Sequence, residues 1–235
     1  MRSCLVQLFL MVAIVFGLLW FGLPIGAAWL ATNALKGAGF TGSDTVVTVT
    51  ADPPLLLLTG HADKVHVTSN AVSVGDLQAS AVDLTLGKVD LIGRSVGSIE
   101  GTLTGVSIAV AGGDAVTAQT VTVSGPASGA KATLVLPTTE VEGLAETQLA
   151  ADGLKATITL AAPNKVTIAA GGKSIPAQLE ATDGILLLVP GTPGVPIVPL
   201  LTPGKGNPFH VTAVSIGAAG VTLTGTVDLQ SMLGL

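Results

Sequence analysis

The sequence predicts a mainly β (α+β) protein that begins with an apolar helix, and three observations support this. From Val46 onward, apolar and polar residues alternate with the period of two that is typical of antiparallel strands with one buried face. The chain is 49% hydrophobic and 11% charged, whereas an ordinary soluble domain carries about 25% charge. Finally, residues 5–23 form an uncharged run. The length of 235 residues suits one large all-β domain.

The N-terminal run predicts export. Leu5–Leu23 reads LVQLFLMVAIVFGLLWFGL, and a bilayer core needs about 20 apolar residues. Arg2 favours a cytoplasmic N-terminus, with the rest of the chain outside. The run is longer than the apolar region of a signal peptide, and Gly26-Ala27-Ala28 is an imperfect cleavage site, so a retained anchor and a cleaved signal both stay open. We predict a signal-anchor or signal peptide in residues 1–35 and a single β-rich domain in residues 36–235.

The strand pattern predicts antiparallel strands, several of which change phase along their length. Apolar residues alternate with polar ones over Leu154–Leu160 and Val221–Leu229, among other segments. Three strands change phase midway, near Val82, Val106 and Val214. A slip of one residue is typical of a β-bulge, which bends and twists a strand. The slips therefore indicate either ordinary sandwich irregularity or a sheet that curls around something.

One segment has the period of a helix. Pro137–Glu142 opens it, with Thr139 and Glu142 at the spacing of a capping box, and Asp152-Gly153 ends it. Its apolar stripe should lie on the concave side of a sheet. The positions at helical spacing are Val141, Leu144, Ala145, Gln148 and Leu149. Residues 26–36 are a candidate for a second helical stretch.

Two predicted loops are unusually apolar. They are Pro53–Leu58 and the proline-rich segment Val189–Gly204. Proline at this density excludes a helix or a central strand. The side chains either close the ends of the core or form an apolar rim that contacts a membrane or admits a lipid tail.

Motifs for catalysis and metal binding are weak. Gly93–Gly97 matches G-x-S-x-G around Ser95, but a nucleophile elbow needs a helix after the serine, and Ser98–Val110 is predicted as a strand. Gly37–Gly42 matches G-x-G-x-x-G with the strand and helix in the wrong order. Three histidines, at positions 61, 66 and 210, could in principle bind a metal. We predict no enzyme, no catalytic residues, no cofactor and no metal.

Composition excludes two further classes. A net charge of −5 argues against a surface that neutralises nucleic-acid phosphates. One cysteine excludes a disulfide scaffold or a cysteine-rich metal site.

The order of segments resembles a known family. A strand over Thr45–Thr50 leads to a Pro-Leu-rich turn that ends at Gly60. After this turn come the segment Asp63–Val67, a strand pair through Val74–Val89, the helix, and the final strand Val221–Val227. This layout, over roughly residues 30–230, resembles the LmeA-like family of actinobacterial envelope proteins, which binds phospholipid and is compared with tubular lipid-binding (TULIP-like) domains. The resemblance implies a long curved antiparallel sheet wrapped on one or two helices, with an apolar tunnel for acyl chains.

We therefore expect an exported, membrane-anchored phospholipid-binding or lipid-carrier protein of the cell envelope. It would lie on the extracytoplasmic side of the membrane, or be secreted or periplasmic if the N-terminal segment is cleaved. Its partners would be membrane lipid and the membrane itself, not nucleic acid. The alternative is a non-catalytic structural or adhesive β-sandwich on the cell surface.

The candidate site residues are apolar, apart from one cation. Arg94 is the candidate headgroup ligand because its fork suits phosphate. Candidate membrane contacts are Leu56, Leu57, Ile197, Leu200 and Leu201. Candidate lipid-binding wall residues are Leu84, Leu86, Val106, Ile108, Leu144, Leu149, Ile158, Leu160, Leu186 and Leu188.

Overall fold

A computed structural model describes residues 23–33, 36, 40–74, 77–90, 92–93, 95–109, 115–202 and 209–227. Residues 23–33 are helical and are called the N-terminal helical segment. A short 3-10 helix spans Pro54–Thr59, and helix α1 spans Thr138–Ala151. The strands are β1 (Thr41–Thr50), β2 (His61–Val74), β3 (Leu77–Asp90), β4 (Ser95–Ala109), β5 (Ala115–Pro126), β6 (Ala130–Leu136), β7 (Thr157–Ala161), β8 (Lys165–Ala170), β9 (Lys173–Thr182), β10 (Ile185–Pro190), β11 (Val198–Leu201), β12 (Phe209–Gly217) and β13 (Gly220–Val227).

The strands form two curled antiparallel sheets, which confirms the predicted mainly β fold. The larger sheet has eight strands in the order β1-β2-β3-β4-β5-β6-β13-β12, and the smaller has five in the order β11-β10-β9-β8-β7. The predicted membrane-spanning run lies largely outside the described residues. Among the residues that are described, no helix combines the length and the apolar character that a bilayer crossing requires.

Helix α1 packs between the two sheets. It contacts β5 and β13 of the larger sheet and β7 and β11 of the smaller one. Four of the predicted stripe residues are buried: Val141, Leu144, Ala145 and Leu149. The helical period therefore predicted this element and its inward face correctly.

The predicted capping box is wrong. The N-cap position is Pro137, and no side chain caps the helix. Glu142 Oε1 instead accepts a hydrogen bond from the Leu160 N–H at 3.0 Å, and Glu146 Oε1 accepts one from the Ile158 N–H at 2.9 Å. β7 is an edge strand, so its outward N–H groups need acceptors. These carboxylates supply them and join α1 to the smaller sheet.

The predicted phase slips occur, but two of the three are not bulges. Buried positions change parity between Ala79 and Val82 in β3, and between Ile99 and Val106 in β4. The pairing of β3 with β4 nevertheless keeps one register throughout. Only β12 carries the expected irregularity, a register shift between Val211 and Ala213.

The parity changes lie on lines across the larger sheet, which we call creases. In the first crease Ala71, Ser80 and Gly105 lie opposite one another, and Ala71 and Gly105 have left-handed backbones with φ of 47° and 59°. A second crease joins Asp63, Lys88 and Gly97, with Lys88 at φ 51°. Because paired strands change parity together, the sheet bends without losing its register and keeps apolar side chains on its inner face.

Candidate lipid-binding site

The inner face of the larger sheet carries four half-buried apolar side chains between the two creases. They are Leu84 and Leu86 of β3, Leu103 of β4 and Val121 of β5, and we call them the open strip. Residues directly opposite in an antiparallel pair share a face. Leu84 lies opposite the buried Val67, and Leu103 lies opposite the buried Val82. The open strip therefore belongs to the face that forms the core.

The open strip lies between two covered areas of this face. On one side, Ala27 and Ala31 of the N-terminal helical segment pack in a cluster with Val49, Val65 and Val67. On the other side, α1 contacts β5 and joins the main cluster. Leu86 packs against both clusters. The strip is thus the part of the inner face that neither helical element covers fully.

Gly101 shapes the open strip. It belongs to β4 and lies opposite Leu84 of β3 and opposite Val123 of β5. A Cβ atom at this position would contact the Asp83 carbonyl oxygen and lie 2.8 Å from Leu84 Cδ2. The absent side chain lets Leu84 lie across the neighbouring strand and leaves a shallow apolar surface.

The predicted wall residues divide into two groups. Leu84, Leu86, Ile108 and Leu160 are half-buried and pack against the main cluster. The others are buried in that cluster: Val106, Leu144, Leu149, Ile158, Leu186 and Leu188. The second group fills the space between the sheets with side chains, so these residues act as core rather than as surface available to a ligand.

The described residues form two surface depressions that we compared with the closed apolar tunnel implied by the family resemblance, and neither has that form. One, of about 330 Å³, lies between the N-terminal helical segment and the start of β1, at Thr32, Lys36, Phe40 and Thr41. The other, of about 420 Å³, lies on the outer face of β2–β4 and includes Asp44, Asp83 and several threonines. The candidate apolar surface is therefore the open strip.

The predicted membrane contacts also divide. Leu56 and Ile197 are exposed, and Leu57 is half-buried against the cluster of the N-terminal helical segment. Leu200 and Leu201 are 0% and 2% exposed, which excludes them from a membrane-contacting surface. They were expected in a loop, but β11 pairs with β10 at the edge of the smaller sheet and places them in the core. Arg94, the headgroup candidate, lies outside the described residues.

The weak motifs form no compact constellation. Ser95 opens β4, so a strand follows it and not the helix of a nucleophile elbow. His66 Nε2 lies 2.8 Å from Asp83 Oδ1, and His61 Nε2 lies 3.6 Å from Asp90 Oδ2. His210 lies on β12, at the far edge of the larger sheet. Within the described ranges, no three potential metal ligands come together.

Sequence reasoning omitted Leu103 and Val121 from the site, together with three exposed residues: Leu55, Leu58 and Ile92. The first two alternate like other strand residues, and only the cross-strand register places them beside Leu84. For Leu55 and Leu58 a signal existed, because the predicted Pro-Leu loop contains both residues.

Comparison of the chain with protein-family models, with characterised proteins and with solved structures finds no match.

Proposed function

We propose that this chain is an exported, membrane-anchored envelope protein that binds lipid acyl chains on the open strip. One observation carries the proposal: Leu84, Leu86, Leu103 and Val121 are half-buried, although their neighbours on the same face, among them Val67, Val82 and Val123, are buried. A hydrocarbon chain lying between the two helical elements would complete this face.

The chemistry of the strip favours hydrocarbon over a polar ligand. The surrounding inward positions on β3–β5 are Val82, Ile99, Gly101 and Val123, and none of these four has a charged or hydrogen-bonding side chain. Apolar burial contributes about 25 cal/mol per Å², and each buried methylene of an acyl chain contributes about 0.8 kcal/mol. Several methylenes on the strip would give measurable affinity without a specific headgroup contact.

The membrane location rests on the sequence. The apolar run Leu5–Leu23 follows Arg2, which favours export of the domain. The segment order also resembles the phospholipid-binding LmeA-like family. Phospholipid is therefore the proposed ligand class, and carriage of lipid along the envelope is the proposed role.

Photolabelling tests the proposal. The full chain is reconstituted in phosphatidylcholine vesicles that contain a phosphatidylcholine with a diazirine on its acyl chain, and adducts are located by peptide mass spectrometry after illumination. We expect adducts on β3, β4 and β5, around Leu84, Leu103 and Val121. Adducts confined to residues 1–35 would contradict lipid binding by the domain.

Variants sharpen this experiment. Leu84→Ser with Leu103→Ser makes the strip polar, and Leu103→Phe fills it while keeping it apolar; both should reduce strip labelling. Ile197→Ser is the matched control, because Ile197 is an exposed apolar residue next to β11. Circular dichroism verifies that each variant is folded. Labelling that Leu103→Phe and Leu84→Ser/Leu103→Ser leave unchanged would exclude the strip.

One observation favours a second function, a structural or adhesive β-sandwich. The space between the two sheets is filled by large side chains at 0–1% exposure, including Leu149, Leu186 and Leu188. A purely structural domain needs nothing more. A folded chain whose strip acquires no adduct would support this alternative.

A further inference from the structure

An exposed apolar surface lies at one end of the larger sheet. It comprises Leu55, Leu56 and Leu58 of the 3-10 helix and Ile92 of the β3–β4 turn, and we call it the apolar tip. Leu58 and Ile92 are 62% and 75% exposed. Large aliphatic side chains grouped in this way on a surface are typical of a protein or membrane contact.

Backbone and packing contacts define the shape of the apolar tip. Gly60 ends the 3-10 helix with a left-handed backbone at φ 78°, and its N–H donates to the Leu57 carbonyl. A Cβ atom at Gly60 would lie 2.6 Å from Ile92 Cγ1, so Ile92 lies directly over this glycine. Leu57 points inward to the core. The two loops therefore form one continuous surface with its leucines held outward.

Asp90 fixes the turn that carries Ile92. Its Oδ1 accepts hydrogen bonds from the N–H of Gly93 at 2.7 Å and of Ile92 at 3.0 Å. The Gly93 bond, aided by the Ile92 bond and by His61, lowers the pKa of Asp90 against an opposing contribution from burial. The carboxylate therefore stays ionised at neutral pH and keeps Ile92 in its outward position.

The N-terminal helical segment points its start toward the apolar tip. Near its end, Thr32 shares a depression with Thr41 and Thr45, at the beginning of β1. Ala27 and Ala31 pack in the cluster that includes Leu57, at the opposite end of the sheet. The segment therefore runs antiparallel to β1, and residue 23 lies toward the end that carries the 3-10 helix.

The chain outside the described part begins at this end and is apolar. Leu5–Leu23 has no charged residue and is long enough for a bilayer core of about 20 residues. Trp29 is 65% exposed and follows residue 23 by about 9 Å at the helical rise of 1.5 Å per residue. Tryptophan favours the membrane–water interface. Residue 23, Trp29 and the apolar tip thus have the arrangement expected for a domain resting on a bilayer.

We infer that the apolar tip inserts into the bilayer surface beside the N-terminal apolar segment, holding the larger sheet end-on to the membrane. This inference rests on the proposed anchored topology. The occupant is a lipid bilayer and not a protein, because the adjoining chain is itself long enough to enter one. Asp52 and Asp63 lie next to the 3-10 helix and are joined by a backbone N–H to carboxylate hydrogen bond of 2.6 Å. Insertion should therefore not need anionic lipid.

Fluorescent labelling of the full chain tests the inference. Leu58→Cys, Ile92→Cys and, as the exposed control, Ile197→Cys are each made in a Cys4→Ser background, labelled with an environment-sensitive NBD dye and reconstituted in phosphatidylcholine vesicles. We expect blue-shifted emission at positions 58 and 92 and its loss when doxyl-labelled phosphatidylcholine is included. Position 197 should show neither effect. Replacing part of the lipid with phosphatidylglycerol should change neither result.

Two outcomes would overturn the inference. Dyes at positions 58 and 92 that behave like the dye at position 197 would show that the tip does not enter lipid. A blue shift that is insensitive to the doxyl lipid would show that a protein surface, such as a second copy, covers the tip. Photolabelling of the open strip in the same vesicles is an independent measurement, so strip labelling without tip insertion would refute only this inference.

Discussion

The inner face of the larger sheet is covered to different extents in two regions, which we call the closed region and the open region. In the closed region, β6 and β13 face α1 and the smaller sheet, and large leucines such as Leu149, Leu186 and Leu223 are at 0–1% exposure. In the open region, β1–β4, the buried residues are mostly valine and alanine, among them Val65, Val67 and Ala79. A face lined by small residues lets a helix approach closely, but it does not fill the space beyond that helix.

The comparison teaches where a binding surface can remain. Two opposed sheets contribute side chains from both sides, and together they fill a layer about 10 Å thick. In the described part of the chain the smaller sheet makes its main strand contacts with β12, whereas β1 and β2 of the open region pack against Ala27 and Ala31 of the N-terminal helical segment. The remaining apolar surface, the open strip, is therefore available to a ligand.

The first prediction compares the stability lost when a leucine is truncated in each of the two regions. Leu186→Ala in the closed region should lower the free energy of unfolding by about 2–5 kcal/mol, because it leaves a cavity. Leu84→Ala in the open strip should lower the free energy of unfolding by about 1 kcal/mol, since a half-buried side chain removes less apolar surface from water. Denaturant unfolding in the same detergent solution measures both. Equal losses would mean that the strip is packed as tightly as the core.

A second prediction contrasts two glycines. Gly105 lies in the first crease at φ 59°, where a Cβ atom would contact Ser80 Oγ. Gly105→Ala should destabilise the chain by about 1–2 kcal/mol, the cost of a left-handed L-residue. Gly143, on α1, has open space around it, and Gly143→Ala should stabilise by about 0.5–1 kcal/mol. Thermal unfolding should show melting temperatures that shift in opposite directions. Shifts of the same sign would contradict the prediction that the crease requires glycine at position 105.

The third prediction concerns the hydrogen bond between α1 and the edge strand β7. Glu146→Ala removes the acceptor for the Ile158 N–H and should cost about 1 kcal/mol, since that edge group can bind water instead. Glu146→Gln keeps an amide oxygen and should cost less. Glu180→Ala, on the exposed face of β9, is the matched control. Denaturant unfolding in which the Glu180 and Glu146 variants lose the same stability would show that the contact with β7 contributes nothing.

Part of this arrangement could be predicted from local pattern. Period-two alternation identified the strands, and the spacing of Val141, Leu144 and Leu149 identified α1 and its buried face. The predicted capping box failed because the helix begins earlier than expected, with Pro137 at the N-cap and Thr139 inside the helix; Glu142 instead binds the edge of β7. Leu200 and Leu201 were misplaced because a proline-rich edge strand has the same composition as a loop.

Local patterns along the chain are sufficient to predict the β-rich fold, the helix, the apolar N-terminal run and the positions where strands change phase. These depend on neighbours along the chain, within a turn or a pleat. Only the tertiary structure decided which leucines are enclosed and which stay accessible, because that depends on cross-strand register and on which element lies above each face. Leu84 and Leu186 are the same residue in similar strands. Leu186 lies on β10, which contacts β12 of the larger sheet, and it is 1% exposed, whereas Leu84 stays half-buried.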